Sequence, residues 1–139
     1  MPMLDVTAPE GTFSTASEAA LLERLTRTLL TWEKATDLPL VVANTGAYLH
    51  VQPGPRVTAG GKADRVVRVE ILTPPGSLTQ AQRQGITADV TRVVSELAEG
   101  VGPERVWVLF REAADGGWGI AGRALTNADI AQAIARAGG

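Results

Sequence analysis

The chain repeats one pattern of strand, turn and helix after 65 positions, and this repeat limits its fold more than any other feature. Residues 4–11 align with residues 69–76, which places Pro9 on Pro74. The same shift continues into the following segments without a gap. Repeats of this kind mark supersecondary units that bury their apolar faces against each other. The sequence therefore predicts two copies of one unit.

The second copy is predicted to be a strand followed by a helix. Alternate residues of Val67–Ile71 are apolar, as in a strand with one buried face. Pro74 ends this strand because proline cannot donate a hydrogen bond to the ladder. A helix is expected at about 79–97, where Thr79 and Gln82 form a capping box. One stripe of this helix is apolar and consists of Ile86, Val90, Val93, Val94 and Leu97.

The first copy follows the same order. Thr15 and Glu18 are its expected capping box. A further β-like run follows each helix, predicted at Leu40–Ala43 in the first copy and at Arg105–Arg111 in the second. The apolar stripe of the first helix consists of Leu21, Leu22, Leu25, Leu29 and Trp32.

These patterns predict an α+β fold in which two tandem β-α-β units form one four-stranded sheet with both helices on one face. The first unit is expected at about 1–55 and the second at about 64–125, within a single domain of 139 residues. Glycine-rich segments after each unit predict short hairpin strands. The hairpin of the second unit would lie at 113–122, with 46–54 as its counterpart, which places Tyr48 opposite Trp118.

Composition excludes several classes of function. The net charge is -2 and the basic residues are scattered, which argues against a nucleic-acid or membrane partner. With no cysteine and with His50 as the one histidine, thiolate and histidine-rich metal sites cannot form, and no cofactor is expected. No signal segment or membrane-spanning apolar run is evident, so we expect a cytoplasmic protein.

Several motifs resemble the tautomerase superfamily, and in particular the 4-oxalocrotonate tautomerase pattern. They are the Met-Pro start together with the segments Gly76–Arg83, Arg105–Glu112 and Gly116–Arg123. Two fused units make the chain similar in length to cis-3-chloroacrylic acid dehalogenase and malonate semialdehyde decarboxylase. The resemblance implies a homotrimer with active sites near the subunit boundaries, a small-molecule substrate, and a catalytic amino-terminal proline.

Pro2 is the candidate catalytic residue. Removal of Met1 would leave a secondary amine at Pro2, and an α-amino group has a pKa of about 8 before any perturbation. An apolar pocket lowers this pKa because it disfavours the charged form. A neutral proline could then act as general base on an enol or 2-keto acid. The second unit has Val67 at the equivalent position, so one such base per chain is expected.

The substrate carboxylate of a 2-keto acid needs a cation, but the turns at Pro9 and Pro74 lack the arginine that the resemblance implies. We expect Arg111, Arg123 or Lys34 to replace it. The aromatic side chains predicted to bind substrate are Trp107, Trp118 and Tyr48. The two tryptophans would suit a substrate with an aryl or alkyl tail.

Other functions stay open at this point. The dehalogenase has a water-activating carboxylate where this chain has Ile120, which disfavours hydrolytic dehalogenation. Asp37 could supply the acid of a decarboxylase, although the paired arginines are missing. A decarboxylase or hydratase of the same superfamily, a non-catalytic trimer, and an unrelated ligand-binding α+β sandwich are therefore the alternatives. The order of the strands would separate the last of these from a tautomerase.

Overall fold

The computed structural model describes residues 1–138. Within this range, no helix is long and apolar enough to span a membrane. Two short 3-10 helices lie at Gly54–Arg56 and Pro103–Arg105. The other elements are β1 (Met3–Pro9), α1 (Thr15–Trp32), α2 (Pro39–Ala43), β2 (Gly46–Gln52), β3 (Thr58–Ala59), β4 (Lys62–Ala63), β5 (Val67–Thr73), α3 (Gln80–Leu97), β6 (Val106–Glu112), β7 (Trp118–Ile120), β8 (Arg123–Leu125) and α4 (Asn127–Ala137).

The main sheet has the order β2-β1-β5-β6. Strand β1 is parallel to β2, and β5 is parallel to β6, as two β-α-β crossovers require. The first strands of the two units, β1 and β5, lie side by side and antiparallel, with Val6 opposite Val69. This order confirms the predicted α+β architecture and excludes the alternative sandwich.

The core lies between the sheet and the two long helices. Alternate residues of β1 and β5 are fully buried, because successive side chains of a strand point to opposite faces. The apolar stripes predicted for α1 and α3 pack on this face, although Leu22, Trp32 and Leu97 are only partly buried. Within residues 1–138, the other face of the sheet carries no helix. The largest fully buried side chains include Leu4, Val6, Leu21, Leu25, Leu29, Val69, Ile71, Ile86, Val90 and Val94.

Helices α1 and α3 touch each other at Gly85. A Cβ atom at this position would lie well inside the van der Waals distance of the Trp32 ring. The Trp32 Nε1 atom donates a hydrogen bond to the Asp89 carboxylate at 2.8 Å, which fixes the ring against α3. A residue without a side chain is therefore required where the two helices meet.

The predicted strand at Leu40–Ala43 is wrong. Pro39 occupies the first turn of the short helix α2, where its fixed φ and missing N–H suit a helix start. The second strand of the first unit is instead β2, which the sequence had suggested as a hairpin. Tyr48 pairs with Asp5 in the first unit, and Leu109 pairs with Glu70, the residue that the 65-residue shift aligns with Asp5. The repeat equivalent of Tyr48 is therefore Leu109 and not Trp118.

The N-terminal caps of the long helices agree with the sequence in one case of two, and one helix lies where no element was predicted. The capping box of Thr79 and Gln82 is confirmed, whereas α1 is capped by Ser14 and not by Thr15. Helix α4 was not predicted, although Thr126 and Asp129 form a capping box at its start. It follows the β7–β8 hairpin and packs on α2.

Candidate active site

A cavity of about 310 Å³ surrounds the start of the chain. We call it the chain-start cavity. The end of α1, α2, the turn after β5 and α4 form its walls. Its lining residues are Met1, Glu33, Ala35, Leu38, Val41, Pro74, Pro75, Ser77, Gln82, Asn127, Ile130, Ala131 and Ile134.

Pro2 is buried at the entry to β1; it does not itself line this cavity, but the preceding residue, Met1, does. The Gly46 amide donates a hydrogen bond to the Pro2 carbonyl at 3.2 Å, which joins the chain start to the beginning of β2. Met1 is also buried and packs in one apolar cluster with Leu30, Val41 and Trp118. The fold thus holds the first two residues in place.

Glu33 faces the amine of Met1 across 3.8 Å, and both side chains are largely shielded from water, at 10% and 3% exposed. Glu33 caps the C-terminal end of α1, and Lys34 follows it with a φ of 54°, which turns the chain away from the helix. Burial lowers the pKa of the Met1 amine, and the neighbouring Glu33 charge opposes this. Burial likewise raises the pKa of Glu33, and the amine opposes that effect.

The rest of the cavity is mostly apolar, and two of its polar side chains are held by other hydrogen bonds. Gln82 accepts from the Thr79 amide at 2.8 Å and donates to the Trp32 carbonyl at 3.2 Å. Asn127 donates from its side chain to the Pro75 carbonyl at 3.0 Å, which ties α4 to the turn after β5. Helix α4 therefore closes one side of the cavity.

None of the three predicted cations lines the chain-start cavity. Arg111 pairs with Glu70 at 2.9 Å on the helix-free face of the sheet and is 71% exposed. Arg123 and Lys34 are exposed to solvent. Among the residues that the structure describes, the only ionisable side chain lining this cavity is Glu33. The substrate-binding roles of Arg111, Arg123 and Lys34 remain predictions.

The predicted aromatic residues lie at different places. Trp118 is 7% exposed and packs near Met1. It also lines a separate hollow of about 300 Å³, which the side chain of Tyr48 shares. The two residues are brought together, although they are not equivalent in the repeat. Trp107 lies on the helix-free face, in an open hollow of about 580 Å³ that includes Asp5 and His50.

Two parts of the chain-start cavity were missed in the sequence. Glu33 carried no motif, and Asp37 was the acid considered after the first helix; Asp37 is exposed and does not line the cavity. The apolar wall of α4 had a readable signal, since Ile130 and Ile134 are four residues apart behind a capping box.

The second unit matches a known family by sequence. Residues 66–128 match the model of the family described as Tautomerase enzyme. A search of curated proteins finds no match to the chain. The sequence match thus covers β5, α3, β6 and the β7–β8 hairpin.

The whole chain is similar in fold to solved tautomerase structures. A fused 4-OT described as a wild-type symmetric trimer superposes with a TM-score of 0.76 at 21% identity, over 92% of this chain and 98% of the other. Pt0534 inactivated by 2-oxo-3-pentynoate gives a TM-score of 0.78 at 21% identity, over 92% and 98%. A macrophage migration inhibitory factor-like protein from Entamoeba histolytica gives 0.69 at 13%, over 86% and 94%.

The two comparisons agree: residues 66–128 match the Tautomerase enzyme family by sequence, and the whole chain has the fold of the fused 4-OT structures. Two β-α-β units share one chain and one sheet.

Proposed function

We propose that the chain, once Met1 is removed, is a tautomerase that uses the nitrogen of Pro2 as general base on an enol or keto compound. The observation that carries this proposal is the burial of the chain start at the edge of a mostly apolar cavity. Cleavage of Met1 would free the Pro2 amine and vacate the space that the Met1 side chain fills. The substrate would then occupy that space, next to the base.

The surroundings favour a neutral amine at Pro2. Burial lowers the pKa of the Met1 amine at the same end of β1. Pro2 is buried as well, so burial would act on its free amine in the same direction. Part of the population would then be free base near neutral pH, as proton abstraction from carbon requires.

The names of the structural neighbours support this proposal and extend it to assembly. One neighbour was inactivated by 2-oxo-3-pentynoate, a keto acid with an electrophilic triple bond. Others are fused 4-OT proteins described as trimers. We extend both properties to this chain: reaction with a keto compound, and a homotrimer whose helix-free sheet faces are covered by neighbouring subunits. Tyr48, Trp107 and Leu109 are exposed on that face.

Decarboxylation is the second candidate reaction. Glu33 places an acid after the first helix inside the cavity, where Asp37 had been considered. The required arginines do not line the described cavity, however, so the carboxylate that would leave as carbon dioxide has no cation to bind it. Simple keto–enol interconversion needs only the base and a proton donor, and it is the better fit.

The test is ketonisation of phenylenolpyruvate and of 2-hydroxymuconate by Met1-free protein, compared with Pro2→Ala. We expect Pro2→Ala to lower kcat/KM by about 10²-fold or more, since positioned base catalysis contributes 10²–10⁴-fold. The rising limb of the pH profile should have its midpoint below about 8, the ordinary pKa of an α-amino group, because burial favours the free base. Equal rates for the two proteins would refute Pro2 as the base.

A further inference from the structure

We propose that the chain-start cavity accepts an uncharged, enolisable ketone or aldehyde with an apolar tail, and that the carboxyl group of Glu33 donates a proton to its carbonyl oxygen. This inference rests on the proposed function and names the substrate class of the same site. It departs from the 2-keto acid that the sequence suggested, and the charges around the cavity are the reason.

Within residues 1–138 of one subunit, the lining of the cavity offers no counter-ion to a substrate carboxylate. Glu33 is the only ionisable side chain in its described lining, and the remaining side chains are apolar or uncharged. A carboxylate that loses its hydration without a cation costs several kcal/mol. It would also stabilise the protonated form of the Pro2 amine and so reduce the free base that the reaction needs. An uncharged carbonyl compound avoids both costs.

Glu33 is placed to act on the carbonyl oxygen. Its carboxylate lies 3.8 Å from the amine of Met1, one residue before Pro2, and this amine is its only ion-pair partner within residues 1–138. At 10% exposure it is shielded from solvent, and burial raises its pKa, which favours the protonated carboxyl group. A buried neutral carboxyl group can donate a hydrogen bond to a carbonyl that becomes an enol.

The reaction step balances without any other reagent. The bond between the α-carbon and its hydrogen breaks, and the proton passes to the Pro2 nitrogen. The electron pair of that bond forms a double bond between the α-carbon and the carbonyl carbon. The π electrons of the carbonyl group move to its oxygen, which takes the proton of Glu33. When the enol has formed, Pro2 is a protonated ammonium and Glu33 is a carboxylate. One proton passing between these two groups through solvent restores the starting state.

The walls select an apolar tail. Leu38 and Val41, at the start of α2 and within it, line the cavity together with Ile130 and Ile134 of α4. The volume of about 310 Å³ is roughly twice the 150 Å³ of an apolar cavity that takes up benzene. A phenyl-bearing ketone or aldehyde therefore fits the space, with its carbonyl group toward Pro2 and Glu33.

The experiment compares phenylpyruvate with its methyl ester, which differ in charge and hardly in shape. Deuterium exchange at the α-carbon is followed by NMR with Met1-free protein, and each rate is divided by the uncatalysed rate. We expect kcat/KM for the ester to exceed that for the acid by about tenfold or more, since a carboxylate that loses its hydration without a cation costs several kcal/mol. Glu33→Gln should lower the ester rate by about 10²-fold, because the proton donor is lost. Glu23→Gln, an exposed carboxylate on the same helix, is the matched control.

A binding experiment separates this inference from the proposed function. NMR titration with 4-phenylbutan-2-one and with 3-phenylpropanoate measures the charge preference without turnover, and the neutral ketone should bind more tightly. Preference for the acid in both experiments, with Pro2→Ala inactive, would overturn the neutral substrate and leave the proline base standing. Tighter binding of the ketone with no exchange of either phenylpyruvate compound would overturn the proposed function instead.

Discussion

Protein that keeps Met1 will catalyse deuterium exchange at the α-carbon of keto compounds at least about 10²-fold more slowly than protein that begins at Pro2. With Met1 in place, the Pro2 nitrogen is part of a peptide bond and has no basic lone pair. The Met1 residue also occupies buried space in the wall of the chain-start cavity, where it is 7% exposed. The two forms are prepared separately, identified by intact mass, and compared by NMR in deuterium oxide.

The control for this result is folding. The two forms should have the same circular dichroism spectrum and thermal unfolding midpoints within a few degrees, because β1 begins at Met3 and keeps its pairing with β2 and β5 in both. If the protein that keeps Met1 is as active as the other form, the free Pro2 amine has no part in the reaction.

Gly85→Ala will lower the free energy of unfolding by about 2 kcal/mol, within the range of 1–3 kcal/mol measured for overpacked cores. The sign is informative, since glycine to alanine inside an exposed helix normally stabilises by roughly 0.5–1 kcal/mol. Here the new methyl group meets the Trp32 ring, and moving the ring lengthens its hydrogen bond to Asp89. Urea unfolding followed by tryptophan fluorescence measures the change.

Two further variants test the cause of this loss. Gly119→Ala adds a methyl group in β7 where no atom lies within 4 Å, and it should leave the stability nearly unchanged. Combining Gly85→Ala with Trp32→Leu should recover part of the loss, since residues in direct contact are not additive. A stabilising effect of Gly85→Ala alone would show that α1 and α3 do not meet as the structure has them.

The sequence predicted the sheet and the two long helices because their burial pattern is periodic and occurs twice. The alternation in β5 and the stripes of α1 and α3 needed no tertiary information. The second strand of the first unit was misplaced, since Leu40–Ala43 is a short apolar run whose type is set by Pro39. Such runs are ambiguous between strand and helix.

The site was less predictable than the fold because its parts come from segments far apart in the chain. Pro2 was identified as a candidate, but the acid beside it lies at the end of α1 and two cavity walls belong to α2 and α4. The sequence predicts where the candidate cations Arg111, Arg123 and Lys34 lie along strands or after a helix. Whether they face Pro2 depends on tertiary packing, and in the described chain none lines its cavity.

Covalent labelling of the Met1-free protein by but-3-yn-2-one tests the central claim most directly. A nucleophilic secondary amine adds across the triple bond of this uncharged alkynyl ketone, and the two lysines, Lys34 and Lys62, are the competing amines. We predict one reagent per chain, located by peptide mass mapping at Pro2, with loss of exchange activity in step with labelling. Modification of the lysines with Pro2 left free, or full activity after Pro2 is labelled, would contradict the proposed mechanism.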